Sequence, residues 1–136
     1  MNSETKKSTL IALGEFFNDI LLYYKDNSHI TNNKELKNEI ASAADLVKVV
    51  HSENGWFTKD SILWVYKAWA NALEHDKVER WLSHYDLESN KNTKVGVIMA
   101  GNLPLVGLHD ALSVIISGNV LHAKVSSKDR SLMMFV

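Results

Sequence analysis

The chain has 136 residues, of which 46% are hydrophobic and 23% are charged, and its net charge is −1. This composition predicts one ordinary globular domain rather than a disordered polypeptide, and it gives no electrostatic case for binding nucleic acid or an anionic membrane. The absence of cysteine excludes disulfides, thiolate metal sites and a cysteine nucleophile within these residues. The polar N-terminus and the interrupted apolar stretches predict a cytoplasmic protein without a signal peptide or a membrane span.

The first part of the chain has helical periodicity. Apolar residues at three- and four-residue spacings predict a first helix over "TLIALGEFFNDILLYY". Asn32 followed by Glu35 resembles a capping box that opens a second helix, which extends to about Val50. Thr58 is the predicted N-cap of a third helix, and a shorter helix follows around Val78.

The pattern changes after a polar linker predicted at residues 86–93. "KVGVIMA" and "NVLHAKV" are short apolar runs typical of buried strands. Between them, "PLVGLHDALSVIISG" has helical length, with Pro104 in its first turn and Gly118 as its C-terminal cap. A further helix starts within "SSKDRSLMMFV". This order predicts a βαβ unit with parallel strands and a right-handed crossover, and strands this apolar usually belong to a larger sheet.

Polar residues follow both predicted strands. Asn102 comes at the carboxyl end of the first strand, the edge of a parallel sheet where ligands bind. Its amide either donates to a developing negative oxygen or caps the following helix. Lys124, Ser126, Ser127 and Lys128 follow the second strand, where they suit a phosphate or a ribose or else form a solvated turn with a serine cap. Neither glycine-rich phosphate-binding fingerprint is present.

Other residues that carry chemistry in many proteins form no recognisable pattern here. The six histidines lack the spacing of metal ligands, so no metal site is predicted. The four tryptophans fall at helical spacings, which predicts a place in the core or at an interface rather than in a ligand cage.

The stretch "VGVIMAGNLPLVGLHDALSVIISGNVLHAKVSSKD" resembles the front of the nucleotide-binding domain of the aldehyde dehydrogenase superfamily. The matching positions are Asn102, Pro104, Gly118, Asn119 and Lys124. "AGN-x-PLVG-x-HD" and "K-x-SSKD" are more similar to the acyl-CoA reductase branch, which includes the fatty-acid reductase of bacterial bioluminescence. "NGWFT" in the helical part adds weaker support.

The resemblance implies an α/β fold in which residues 1–92 form a helical N-terminal region. Residues 93–136 would then be the first βαβα part of a Rossmann-like nucleotide-binding domain, incomplete in this chain. The implied activity is NADPH-dependent reduction of a fatty acyl-CoA thioester to an aldehyde through an acyl-cysteine. The resemblance assigns to Asn102 the role of hydrogen-bond donor to the thioester oxygen. The residues implied to bind the nicotinamide cofactor are Met99, Ala100, Gly101, Lys124, Ser126 and Ser127.

Three departures from the family pattern affect this expectation. Ala100-Gly101 stands where the family has Pro-Trp, so packing against the cofactor should be less bulky. Ser127 stands where many members have a glutamate that repels a 2′-phosphate, which favours NADPH. NADH remains the alternative because Asp129 is near. The catalytic cysteine is not in this chain, so we expect an N-terminal fragment of a homo-oligomeric reductase that is inactive alone. The competing hypothesis is a non-enzymatic helical interaction module with a short βαβ tail that either docks on a partner or pairs between chains through exposed strand edges.

Overall fold

A computed structural model describes residues 2–26, 34–88 and 92–136. Within these ranges the chain is mainly helical, with a small parallel sheet in its second half, which confirms the general α/β class. The predicted change from helices to a βαβα unit is also present. The elements are α1 (Ser3–Lys25), α2 (Lys34–Val49), a 3₁₀ turn (Val50–Ser52), α3 (Lys59–Ala72), α4 (His75–Leu82), β1 (Lys94–Ile98), α5 (Leu108–Ile116), β2 (Val120–Lys124) and α6 (Arg130–Phe135).

The two described strands pair in parallel, as predicted, with a register that runs from Lys94 opposite Val120 to Ile98 opposite Lys124. Helix α5 packs against both strands. Among the described residues the other face of the sheet is open, and 83% of Ile98 is exposed on it. Because the strands are parallel, both of them end at the same edge of the sheet, and the polar residues that follow them therefore start close together.

Local hydrogen bonds explain where α3 begins and where α5 ends. Thr58 caps α3, because its hydroxyl accepts a hydrogen bond from the Ser61 N–H at 3.2 Å. Gly118 ends α5 as predicted, with a φ of 78° that favours glycine. Its N–H and that of Asn119 bond back to carbonyls of the last helical turn. The predicted capping box at Asn32 lies outside the described residues.

The predicted start of α5 is wrong. Pro104 lies in a series of turns, and the helix begins only at Leu108, with Gly107 as its N-cap residue. The reason is the backbone of Leu105, whose φ of 55° is left-handed and cannot continue a right-handed helix. The Leu105 side chain is nevertheless buried. The segment is therefore a structured loop whose apolar side chain anchors it to the core.

One hydrophobic cluster joins the helical part to the βαβα part. Phe17, Ile62 and Tyr66 from the helices pack in the same cluster as Leu105 and Leu132. Burial of such side chains is the main favourable term in folding, so the two parts stabilise each other.

The four tryptophans divide into two packed and two exposed side chains, and for the exposed pair a place at an interface stays a prediction. Trp69 and Trp81 pack against the buried clusters, whereas Trp56 and Trp64 are 85% and 70% exposed. In the ranges that the structure describes, no helix combines the length and apolar character needed to cross a membrane.

Candidate functional site

Two loops meet at the carboxyl edge of the β1–β2 sheet. We call residues 99–107, after β1, the first loop, and residues 125–128, after β2, the second loop. They touch at Gly101, where an added Cβ would lie only 2.2 Å from the Ser126 Oγ and 3.1 Å from the Lys128 Cβ. A side chain at this position would force the loops apart, so glycine permits the close approach. The structure thus brings the predicted residues after β1 beside those after β2.

A buried amide from the helical part holds the loops together. The Asn54 Nδ2 donates to the Gly101 carbonyl at 3.4 Å and to the Lys128 carbonyl at 3.2 Å. Its Oδ1 accepts from the Trp56 N–H at 3.1 Å, and only 8% of the residue is exposed. Asn54 was not predicted as a site residue, because its main-chain partners lie 47 and 74 residues away in the sequence.

Asp129 forms a second link beneath the first loop. Its Oδ2 accepts from the Leu105 N–H at 2.8 Å, and only 1% of the residue is exposed. This bond secures the left-handed backbone at Leu105. Burial raises the pKa of the Asp129 carboxyl to about 7, against the opposing effect of the Leu105 N–H. Nearby, burial raises the pKa of Tyr66, and the Asp129 charge adds to the increase.

Asn102 lies on the exposed surface of the first loop. It does not cap α5, since the helix begins six residues further on and Gly107 occupies the N-cap position. The capping alternative is therefore wrong. Ala100 is also exposed, but the Met99 side chain is buried and packs against Gly107. A ligand at this edge would meet the main chain of Met99 rather than its side chain.

The end of β2 and the second loop carry ammonium and hydroxyl groups at the same edge. Lys124, Ser127 and Lys128 are exposed, whereas Ser126 is partly buried against Gly101. The Ser126 Oγ accepts from the Lys128 N–H at 3.2 Å, which shapes the turn. The N-cap position of α6 belongs to Asp129, so the predicted serine cap is wrong. The exposed groups form a cationic, hydroxyl-rich surface next to Asn102.

An apolar groove begins one residue after Asn102. It lies between α3 and the first loop, has a volume of about 540 Å³ and is lined almost entirely by carbon. Trp64 and Trp69 contribute one wall, and Leu103, Pro104 and Val106 contribute the other. No local sequence pattern predicts this groove, because its walls come from segments about forty residues apart.

Comparison of the chain with protein-family models, curated proteins and solved structures gives no match. Within residues 2–26, 34–88 and 92–136, no group of three or more histidine, aspartate or glutamate side chains is arranged to hold a metal ion. A functional proposal for this chain therefore depends on the geometry of the two loops and on the motif resemblance.

Proposed function

We propose that this chain supplies the cofactor- and acyl-oxygen-binding edge of an NADPH-dependent acyl-CoA reductase, which forms an aldehyde through an acyl-cysteine. The observation that carries the proposal is the contact of Gly101 with Ser126. This contact brings the loop with Asn102 beside the loop with Ser127 and Lys128, at the sheet edge where α/β proteins bind ligands. Because the two loops are adjacent, one extended dinucleotide can contact both of them, with its adenosine end at the second loop.

Asn102 is the proposed donor to the acyl oxygen. Negative charge grows on this oxygen when a thiolate attacks a thioester carbonyl, and an amide N–H₂ held in place stabilises that charge. Asn102 is exposed, and its flanking residues are fixed by the hydrogen bonds at Gly101 and Leu105. Loss of one such donor typically costs about a hundredfold to a thousandfold in rate.

The second loop has the chemistry required for the adenosine end of NADPH. Lys124 and Lys128 offer positive charge for a 2′-phosphate, and the Ser127 hydroxyl can donate to it. Asp129 is buried and bound to Leu105, so its carboxylate does not face this surface. The repulsion that the Asp129 charge would exert on a 2′-phosphate is therefore weakened, which supports NADPH over NADH. When bound, NADPH supplies the hydride that reduces the acyl carbon.

The groove between α3 and the first loop favours a substrate with an apolar acyl group. It opens beside Leu103, the residue after Asn102, and 58% of Leu103 is exposed. A hydrocarbon chain laid in this groove would remove apolar surface of both partners from water, which is favourable in proportion to the buried area.

The cofactor assignment is tested by calorimetric titration of the chain with NADPH and with NADH. Wild type should bind NADPH more tightly, and Ser127→Glu should weaken NADPH binding by about tenfold through charge repulsion while leaving NADH binding nearly unchanged. Ser8→Glu, the same change on an exposed face of α1, is the matched control. A clear preference of wild type for NADH, or equal effects of the two substitutions, would contradict the assignment.

Catalysis provides a separate test. The sequence contains no cysteine, so an acyl-cysteine route needs a nucleophile from outside these 136 residues. We expect no aldehyde from acyl-CoA and NADPH with this chain alone. Aldehyde formation under these conditions would refute the acyl-cysteine mechanism.

The second candidate function is a helical interaction module that docks through its βαβ tail. The observation in its favour is the open face of the sheet, where Ile98 and Val120 are exposed. Ile98→Lys should abolish partner binding by such a module and leave NADPH binding intact. NADPH binding by the wild-type chain, with association unchanged in Ile98→Lys, would favour the reductase.

A further inference from the structure

One buried side chain contacts both loops of the candidate site. The Asn54 amide donates to the carbonyls of Gly101 and Lys128, and its own oxygen accepts from the Trp56 N–H. The amide is therefore held from three directions, with 8% of the residue exposed. Because buried polar groups are costly unless paired, these hydrogen bonds of the buried Asn54 amide favour the position of both loops.

A second buried group holds the first loop three residues beyond Asn102. The Asp129 carboxylate accepts from the Leu105 N–H, and the Leu105 side chain is itself packed in the core. Asn102 thus lies in a short segment whose two ends, Gly101 and Leu105, are each fixed by a side chain from elsewhere in the chain. Such fixed ends restrict the directions in which the Asn102 amide can point.

We infer that Asn54 and Asp129 form a clamp of positioning residues that keeps the first loop in ligand-binding geometry, and that Asn54 also couples it to the second loop. This inference rests on the proposed function for the role of the ligand, but not for the existence of the clamp. The two members act differently. Loss of the Asn54 donors releases both loops, whereas loss of the Asp129 acceptor releases only the first.

The clamp is tested without ligand by amide hydrogen exchange. Asn54→Asp keeps the size of the side chain but replaces the amide donor with a carboxylate oxygen, which cannot donate to the two carbonyls. Asp129→Ala removes the acceptor for the Leu105 N–H. Both should speed exchange in residues 101–106 by about tenfold, because each lost hydrogen bond is worth roughly one kcal/mol. Asp129→Asn retains an oxygen acceptor and should restore protection. Asn38→Asp, on an exposed face of α2, is the matched control.

Ligand binding separates positioning from simple structural support. In titrations with NADPH, Asn54→Asp should weaken affinity about tenfold, whereas Asp129→Ala should change it much less, since the second loop stays in place. Exchange within α1 reports whether each variant is folded. Asn54→Ser, which adds no charge, provides the same comparison if Asn54→Asp does not fold.

The outcomes distinguish the clamp from the proposed function. Unchanged exchange in residues 101–106 in folded Asn54 and Asp129 variants would overturn the clamp. If exchange is faster in those variants and the wild-type chain does not bind NADPH, the clamp is supported and the proposed cofactor is overturned. Equal loss of NADPH affinity in Asn54→Asp and Asp129→Ala would overturn the division of roles between the two residues.

Discussion

Replacement of Asp129 by asparagine should change how the stability of the protein depends on pH. The substitution keeps an oxygen that accepts from the Leu105 N–H, but it removes a group that can ionise. Only 1% of Asp129 is exposed, and burial raises the pKa of its carboxyl to about 7. In an unfolded chain the same carboxyl has the usual aspartate pKa of about 3.9.

The sign of the effect follows from these two pKa values. Between about pH 4 and about pH 7 the folded protein retains the proton that the unfolded chain has lost. The protonated Asp129 carboxyl therefore stabilises the folded wild type at low pH. This stabilisation is lost as the pH rises through that window, by at most about 1.4 kcal/mol per pH unit. Asp129→Asn has no carboxyl to ionise, so its stability does not fall in this way as the pH rises. Its free energy of unfolding should gain about 2 kcal/mol relative to wild type between about pH 5 and about pH 8.

Urea unfolding across this pH range measures the difference directly. Asp110→Asn, which removes a carboxylate that is 67% exposed, is the control and should show a much smaller change with pH. A difference between wild type and Asp129→Asn that stays constant with pH would refute the reasoning. It would mean that the Asp129 carboxylate is not held in the buried position described above.

Two further substitutions test the packing around the site and the attachment of α1. Gly101→Ala should lower the free energy of unfolding by about 1–3 kcal/mol, since the new methyl group would collide with the second loop, as thermal denaturation can measure. Gly96→Ala should have little effect, because among the described residues no atom outside its neighbours lies within 4 Å of the added carbon. Lys6→Met should cost about 2 kcal/mol in urea unfolding, because it removes a buried charged donor to the Leu87 carbonyl. An unchanged midpoint for Lys6→Met, or equal effects of the two glycine substitutions, would contradict these assignments.

Local patterns were sufficient to predict the elements whose causes are local. The apolar stripe of α1, the Thr58 cap and the Gly118 terminus depend on residues within one or two helical turns, so a short window of sequence contains the information. The start of α5 has a different cause. Leu105 adopts its left-handed backbone with a hydrogen bond to Asp129, which is 24 residues away, and no window of helical length includes both.

The same distinction applies to the candidate site. The placement of Asn102 and Lys124 at the same sheet edge was predictable, because the carboxyl ends of adjacent parallel strands meet at one edge. Asn54 was not predictable, since its partners are main-chain carbonyls that lie 47 and 74 residues away and leave no mark on the choice of side chain. The groove near Asn102 also depends on tertiary packing between α3 and the first loop.

The position of Asn54 bears on the choice between the two candidate functions. A module could dock through its helices or through the open face of its sheet. Neither surface requires a buried amide that fixes both loops at the carboxyl edge of the strands. Burial of such a group is favourable only when its hydrogen bonds are satisfied, and its partners here are the loops that carry Asn102 and Lys128. The helical part thus contributes directly to the geometry of the candidate site, which a ligand-binding role explains better than docking alone.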